Sequence, residues 1–306
     1  MTNPESDTDV LIVGAGPGGT AAALMAASLQ LRTVLVEAAH IGGKLCTIDA
    51  VENVAGNWSS GTQLAAALVA DLEWLRGQRR CSLIQARAVA VSGFDDRVEV
   101  TLTDGTVLTA GAAVVATGVG SLSVVDTEWA TAPDDFDPPF LWTTSPEDLR
   151  GRTYVLGADR PLGTWLRSHA AKQFHLHVIV PPGDAYKAAE VADDDRLHIL
   201  PVEQVDITRS AHGDPWRIEV TGKDHQRVTY ATRNVLNNLG SKPEALNGLQ
   251  IDRAGYCPTE RQHKRIRVAG DLRSARFQRI ATAQGSGAEA VLSLFYDNLE
   301  HIGQRE

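Results

Sequence analysis

Three glycines in the spacing Gly14-x-Gly16-x-x-Gly19, followed further on by the acid Glu37, are the residues of this chain best arranged for chemistry. Their joint task would be to hold a pyrophosphate and a ribose. Gly14 permits a tight turn, Gly16 lets backbone approach the phosphates, and Gly19 lets the next helix pack closely on its strand. The pyrophosphate then sits on free N–H groups at the positive end of a helix dipole. Glu37 stands where a carboxylate accepts hydrogen bonds from a ribose diol, and it would repel a 2′-phosphate, which disfavours NADP there. The glycine spacing alone is a weak signal. With strand, glycines, helix, strand and terminal acid in order, it is a strong one. The sequence predicts a bound dinucleotide.

Other chemistry is sparse. Cys46, Cys81 and Cys257 lie far apart, with no CxxC and no zinc spacing, which fits a reducing cytoplasm and removes the simplest dithiol chemistry. His169, His175, His177, His198, His212, His225 and His263 are scattered. None pairs with an acid at a spacing that marks general acid/base work or a metal site, so no metal is expected.

The elements that must position these residues follow from the apolar pattern. A short strand, Val10 to Val13, leads into the glycines; an Ala-rich helix follows, then a strand from Thr33 to Val36. A helix is expected from Thr62 to Arg76, strands across 83–108 with an Asp104-Gly105 hairpin turn, and a buried strand at 112–118. Residues 121–150, rich in Asp and Pro, form the best linker candidate. A second βα pattern begins at Arg152: strand TYVLG, helix RPLGTWLRSHAAKQF, strand HLHVIVPP, and further strands at 197–208, 216–221 and 228–236. RIRVAGD (265–271) is a last strand, and residues 277–299 a long C-terminal helix. Alternating β and α elements imply an α/β fold: two Rossmann-like domains with parallel sheets, the second inserted in the first. The expected division is 1–119 plus 237–306 for the first domain and 120–236 for the second.

Length and charge narrow the partners. A chain of 306 residues suggests two domains with sizeable cores. The net charge of −9 argues against nucleic acid or an anionic membrane as the main partner. Met1 to Thr8 is polar and acidic, unlike a secretory signal, and no run of ~18 apolar residues occurs that would span a membrane.

The residues so collected resemble the low-molecular-weight thioredoxin reductases and their ferredoxin–NADP reductase relatives. GAGPGGTAAA at 14–23, Glu37, IGGKLCTIDAVENVAG at 41–56, VVATG at 114–118, VAGD at 268–271 and RIATAQGSGAEA at 279–290 stand in family order. The resemblance implies that the dinucleotide is FAD. Gly14, Gly16, Gly19 and Glu37 would hold its pyrophosphate and ribose, Gly43 would also bind the cofactor, and Lys44, Leu45 and Asn53 would line the isoalloxazine edge. Thr117 and Gly118 would close over the adenosine side, and Asp271 would bond the ribityl or pyrophosphate portion. Asp271 also suits this task on its own terms, as an acid at the end of a buried strand before a helix. Arg279 and Ile280 would begin a helix whose dipole points at the flavin pyrimidine. Lys44 and Arg279 both stand where the family usually has Gln; the extra cation at 279 either raises the flavin potential or is a solvated surface arginine. The resemblance also implies a homodimer.

The pattern breaks in two places. Where the family carries CxxC, this chain reads Phe140-Leu141-Trp142-Thr143, so thioredoxin reduction by the usual route is excluded. Cys46 is a thiol beside the flavin loop or a small apolar filler. Trp142 either stacks on flavin in place of the dithiol or plugs the space between domains. In the second glycine motif, Gly157-Ala158-Asp159-Arg160-Pro161-Leu162-Gly163, Asp159 stands where a side chain blocks pyrophosphate and its charge repels phosphate. The expected function is therefore an FAD-dependent oxidoreductase without CxxC that does not use NADPH. Its electrons would come from a protein donor such as ferredoxin or from a small organic substrate, with the flavin doing the redox chemistry. Two other readings stay open: a divergent ferredoxin/flavodoxin–NAD(P) reductase, and a flavin-binding redox sensor or interaction protein without turnover.

Overall fold

The computed structural model describes residues 8–48, 50–210 and 215–298, so the polar start at 1–7 and His212 lie outside it. The chain divides into two compact units, Met1–Gly120 with Pro243–Glu306, and Ser121–Lys242. Both units are α/β with a parallel sheet, the class expected from the sequence.

The first unit is built on five parallel strands in the order Ile266–Val268, Ala112–Val115, Val10–Val13, Thr33–Glu37, Cys81–Gln85. Val10–Val13 reads as an unbroken apolar run because both of its faces are covered, as parallel sheets require. Val10 and Ile12 pack with Ala22, Ala26, Leu35 and Val291 on one side. Leu11 and Val13 pack with Val98, Val100 and Ile266 on the other. A separate antiparallel sheet of Ala88–Gly93, Val98–Leu102 and Val107–Ala110 supplies that second cover. Helices Pro17–Ser28 and Ile280–Asn298 approach very closely. A Cβ on Gly287 would lie 1.9 Å from the Gly18 carbonyl oxygen, so only glycine allows this contact.

The second unit has four parallel strands, ordered Leu197–Pro201, Leu176–Val180, Thr153–Leu156, Asn234–Asn237. A second sheet runs Arg227–Thr232, Trp216–Thr221, Gln204–Arg209, Ala130–Thr131. Two stretches read as single strands, 197–208 and 228–236, each break in two because the chain passes from one sheet to the other. At the second break Thr232 turns the corner: its hydroxyl donates to Arg152 O at 2.7 Å and accepts from the Asn234 amide at 3.0 Å. The helix expected up to Phe174 stops at Ser168. Arg196, remote in sequence, donates to Leu166 O and His169 O and so satisfies carbonyls that further helix would have used.

Candidate functional site

The two glycine turns, alike in sequence, differ in what their backbone amides are doing. In the first unit the Gly14 amide donates to Val36 O at 2.8 Å, and the Ala15 amide to Glu37 Oε2 at 2.6 Å. Among the described residues, the amides of Gly16, Gly18 and Gly19 donate to no protein acceptor. No acid and no capping side chain occupies this helix start. Three N–H groups at the positive end of a helix therefore stand ready for an anion.

The glycines themselves separate by purpose. Gly14 has φ +100°, and a Cβ there would sit 2.5 Å from Ala116 O; a Cβ on Gly19 would sit 1.7 Å from Gly14 O. Those two are demanded by the protein's own packing. Gly16 is not: its φ of −72° and ψ of −174° suit any residue, and its Cβ would meet nothing within 4 Å. The open space beside Gly16 is where a ligand would need the missing side chain.

Around this turn the structure brings together several of the sequence-derived candidates. Glu37 bridges the turn to the strand end, its second oxygen accepting from Ala39 N at 2.8 Å. Each carboxylate oxygen keeps a further lone pair for a hydroxyl. Gly43 lies close to the turn, its Cβ direction passing 3.9 Å from Gly16 Cα. Lys44, Leu45 and Cys46 follow on the short 3₁₀ helix Gly43–Thr47, with Leu45 buried and Lys44 and Cys46 exposed. Asn53 is exposed on the next loop. The Thr117 hydroxyl donates to Glu244 O at 2.6 Å, tying the end of the central sheet to the returning chain, and Gly118 adopts φ +69° beside it.

Asp271 follows strand Ile266–Val268, on the 3₁₀ turn Gly270–Arg273. Its carboxylate makes no hydrogen bond among the described residues, and burial pushes its pKa above the ordinary carboxylate value. Lys44 first and Arg279 second pull it back down, so three candidates share one electrostatic neighbourhood. Arg279 itself is exposed, one residue before the helix that Ile280 begins.

Sequence reasoning missed the props. Gln278 Nε2 donates to Asp271 O, Ser274 O and Tyr256 Oη at 3.1–3.3 Å, and Ser286 Oγ accepts from the Gly270 amide at 2.8 Å. The Gly-Ser-Gly step at 285–287 was the available signal, since small residues inside a helix mark a close approach.

These features fit FAD: free amides for the pyrophosphate, an unobstructed Gly16, carboxylates at Glu37 and Asp271 for hydroxyls. Dithiol chemistry finds no support. Burial raises the thiols of Cys81 and Cys257 to about 11, and Cys46 is a single exposed thiol.

In the second turn most of the corresponding amides are engaged. Gly157 has φ +85°, and a Cβ there would lie 2.6 Å from Asn238 O. The Asp159 amide donates to Asn238 O, Leu162 to Asp159 O and Gly163 to Arg160 O, while Pro161 has no N–H. Asn238 returns the contact through Nδ2 to the carbonyls of Gly157 and Asp159. The Asp159 carboxylate lies 3.1 Å from Lys187 Nζ, itself 2.9 Å from Asp184. Burial alone would lower the Lys187 pKa, but the bond to Asp184 and the charge of Asp159 hold it above its ordinary value. Leu162, where a glycine or alanine would close the motif, is buried in the core. In the same unit Trp142 stacks on Phe140, centroids 4.5 Å apart and planes 14° from parallel.

Residues 9–128 match the family of FAD dependent oxidoreductases. Over 94% of its length the chain is 33% identical to an alkyl hydroperoxide reductase subunit of Staphylococcus aureus, and over 96% it is 25% identical to the corresponding protein of Staphylococcus epidermidis. It spans 58% and 59% of those two proteins. In fold it is similar to thioredoxin reductase from Lactococcus lactis (TM-score 0.76, 18% identity) and from T. acidophilum (TM-score 0.73, 20% identity). Each superposition covers 94% of this chain and 98% of the other.

Proposed function

We propose that this chain, which fits the thioredoxin-reductase-like flavoprotein family, is an FAD-dependent oxidoreductase that works without a CxxC and without NADPH. The observation that carries it is the contrast between the two turns: amides free at Gly16, Gly18 and Gly19, and engaged at Asp159, Leu162 and Gly163. An anion can enter the first and is shut out of the second by both geometry and charge.

In this reading Gly16, Gly18 and Gly19 hold the pyrophosphate and Glu37 the ribose diol. Asp271 accepts from a hydroxyl, and Gly43, Lys44, Leu45 and Asn53 stand at the flavin edge. Thr117 and Gly118 lie on the adenosine side. FAD, when bound, supplies the hydride or one-electron transfer that no side chain here performs. The protein contributes orientation and charge. Asp271, already desolvated, recovers the cost of its burial when a hydroxyl donates to it. Arg279 and the start of the Ile280–Asn298 helix present positive potential. The electrons come from a protein donor such as ferredoxin or from a small organic substrate, and the chain works as a homodimer in the cytoplasm. Among the described residues no helix is long and apolar enough to cross a membrane.

The test is anaerobic stopped-flow absorbance of the FAD-loaded protein mixed with NADPH and then with NADH. The flavin band stays unbleached at millimolar nucleotide, while dithionite still removes it. Rapid bleaching by either nucleotide would refute the exclusion of nucleotide from the second turn and favour a divergent ferredoxin/flavodoxin–NAD(P) reductase. Protein that takes up no FAD would overturn the whole proposal.

A further inference from the structure

Resting on the reading that the first unit binds FAD and is fed by a protein donor, we propose that loop 274–279 is the docking surface for that donor, a small acidic electron-carrier protein. Residues 272–288 hold three arginines and no acid, in a chain whose net charge is −9. Arg273 is engaged by Glu289 at 2.9 Å. Arg276 is exposed, and among the described residues its guanidinium meets no acid. Arg279 is exposed too, its guanidinium donating to the Gln278 carbonyl at 2.7 Å. Between Arg276 and Arg279 stands Phe277, at 80% more exposed than any other large apolar side chain among the described residues.

Phe277 has φ +61°, a left-handed backbone in which an aromatic residue is strained. Its ring, in water, does not hold it there; the hydrogen bonds of the loop do. Thr282 Oγ1 bonds Phe277 O, lies 2.8 Å from Arg279 O and accepts from the Arg279 amide at 3.2 Å. Ser274 Oγ accepts from the Arg276 amide at 3.1 Å. Gln278 Nε2 holds Ser274 O and Asp271 O at 3.1 and 3.2 Å, which ties the loop to the candidate cofactor site, where a donor has to approach. Aromatic and arginine side chains are the usual anchors of protein interfaces, and unpaired guanidinium groups select carboxylates. Six residues are few beside the about 20–30 a side of a stable interface, so the patch suits the brief encounters that redox carriers make. A second copy fits poorly, because a two-fold contact centred here sets arginine against arginine.

The experiment titrates the unmutated chain, Arg276→Gln, Arg276→Lys and Phe277→Asn, all FAD-loaded, with an oxidised plant-type two-iron ferredoxin by isothermal calorimetry at low salt. Arg276→Gln and Phe277→Asn should each weaken binding about tenfold. Arg276→Lys should weaken it less than about threefold, because the charge is kept. Raising salt from about 20 to about 200 mM should weaken binding to the unmutated chain several-fold, and to Arg276→Gln less. In urea, Phe277→Asn should unfold no earlier than the unmutated chain, since asparagine accepts a left-handed backbone and no buried contact is lost. Arg276→Gln that binds as tightly as the unmutated chain would overturn the proposal, as would a ferredoxin that binds neither. Early unfolding of Phe277→Asn would overturn it too, because the ring would then serve the fold. So would a dimer that Phe277→Asn splits in sedimentation velocity, which would make the loop a contact between copies. An unmutated chain that takes up no FAD counts against the proposed function instead, while Arg276-dependent ferredoxin binding still decides the docking surface.

Discussion

Gly16→Ala separates what the fold needs from what a ligand needs. The backbone at Gly16 lies in an ordinary extended region, and a Cβ there would meet no atom within 4 Å. Alanine therefore costs the apoprotein nothing in contacts and removes chain freedom from the unfolded state, for a gain of about 0.4–1 kcal/mol. A pyrophosphate lying on the amides of Gly16, Gly18 and Gly19 has to share that space with the new methyl. Overpacking of this kind costs about 1–3 kcal/mol, which is roughly a 5- to 150-fold weaker affinity. Urea unfolding of the apoprotein, with FAD titrated by quenching of its fluorescence, measures both effects on one sample. Gly19→Ala is the contrast: its Cβ would lie 1.7 Å from Gly14 O, so helix and strand must part and the apoprotein itself loses stability. Gly16→Ala protein that binds FAD as tightly as the unmutated chain would refute the placement of the pyrophosphate. An unfolded Gly16→Ala apoprotein would refute the claim that the fold has no use for that glycine.

Three further outcomes are expected. Burial, then the charges of His198, Arg152 and His175, lower the His177 pKa, so its neutral form is favoured in the fold and the unfolded chain binds more protons. Stability from this group is full above about 6.5, the unfolded value, and is lost as pH falls through the lower folded pKa; His177→Phe, which keeps the stack on Tyr154, should flatten that part of a urea-midpoint profile. Lys187→Met leaves Asp159 and Asp184 facing each other without a cation, and should destabilise the second unit by about 2 kcal/mol, with Asp159→Asn in the same chain restoring part of the loss in chemical unfolding. Iodoacetamide at about pH 8, a half unit below the ordinary thiol value, should add one label to the folded protein, at Cys46; labelling of Cys81 or Cys257 by intact mass would contradict their burial.

Much of the fold was legible along the chain because its signals are local. Val10–Val13, Thr33–Glu37 and Ala112–Val115 are short apolar runs ended by glycine or an acid, and such runs mark buried parallel strands whatever lies around them. The hairpin around Asp104-Gly105 turns within the four residues 103–106, with Gly105 at φ +85°. The strand breaks near Val202 and Arg233 were not legible, since apolar alternation continues while the chain changes sheets. Nor was the early end of the Pro161–Ser168 helix, set by Arg196 from across the unit.

The same division runs through the candidate site. From the sequence by itself came the α/β class, the glycine turn and the likeness of its flanks to FAD proteins, all carried by spacing within a few tens of residues. Only the tertiary structure decided which glycines the protein needs for itself, because Gly14 answers to Ala116 and Gly16 to nothing. It alone showed that Asn238, about eighty positions on, reaches back to the carbonyl of Asp159 in the second turn. Spacing constrains neighbours along the chain, whereas the direction of an amide or the field at a carboxylate depends on atoms that packing brings from elsewhere.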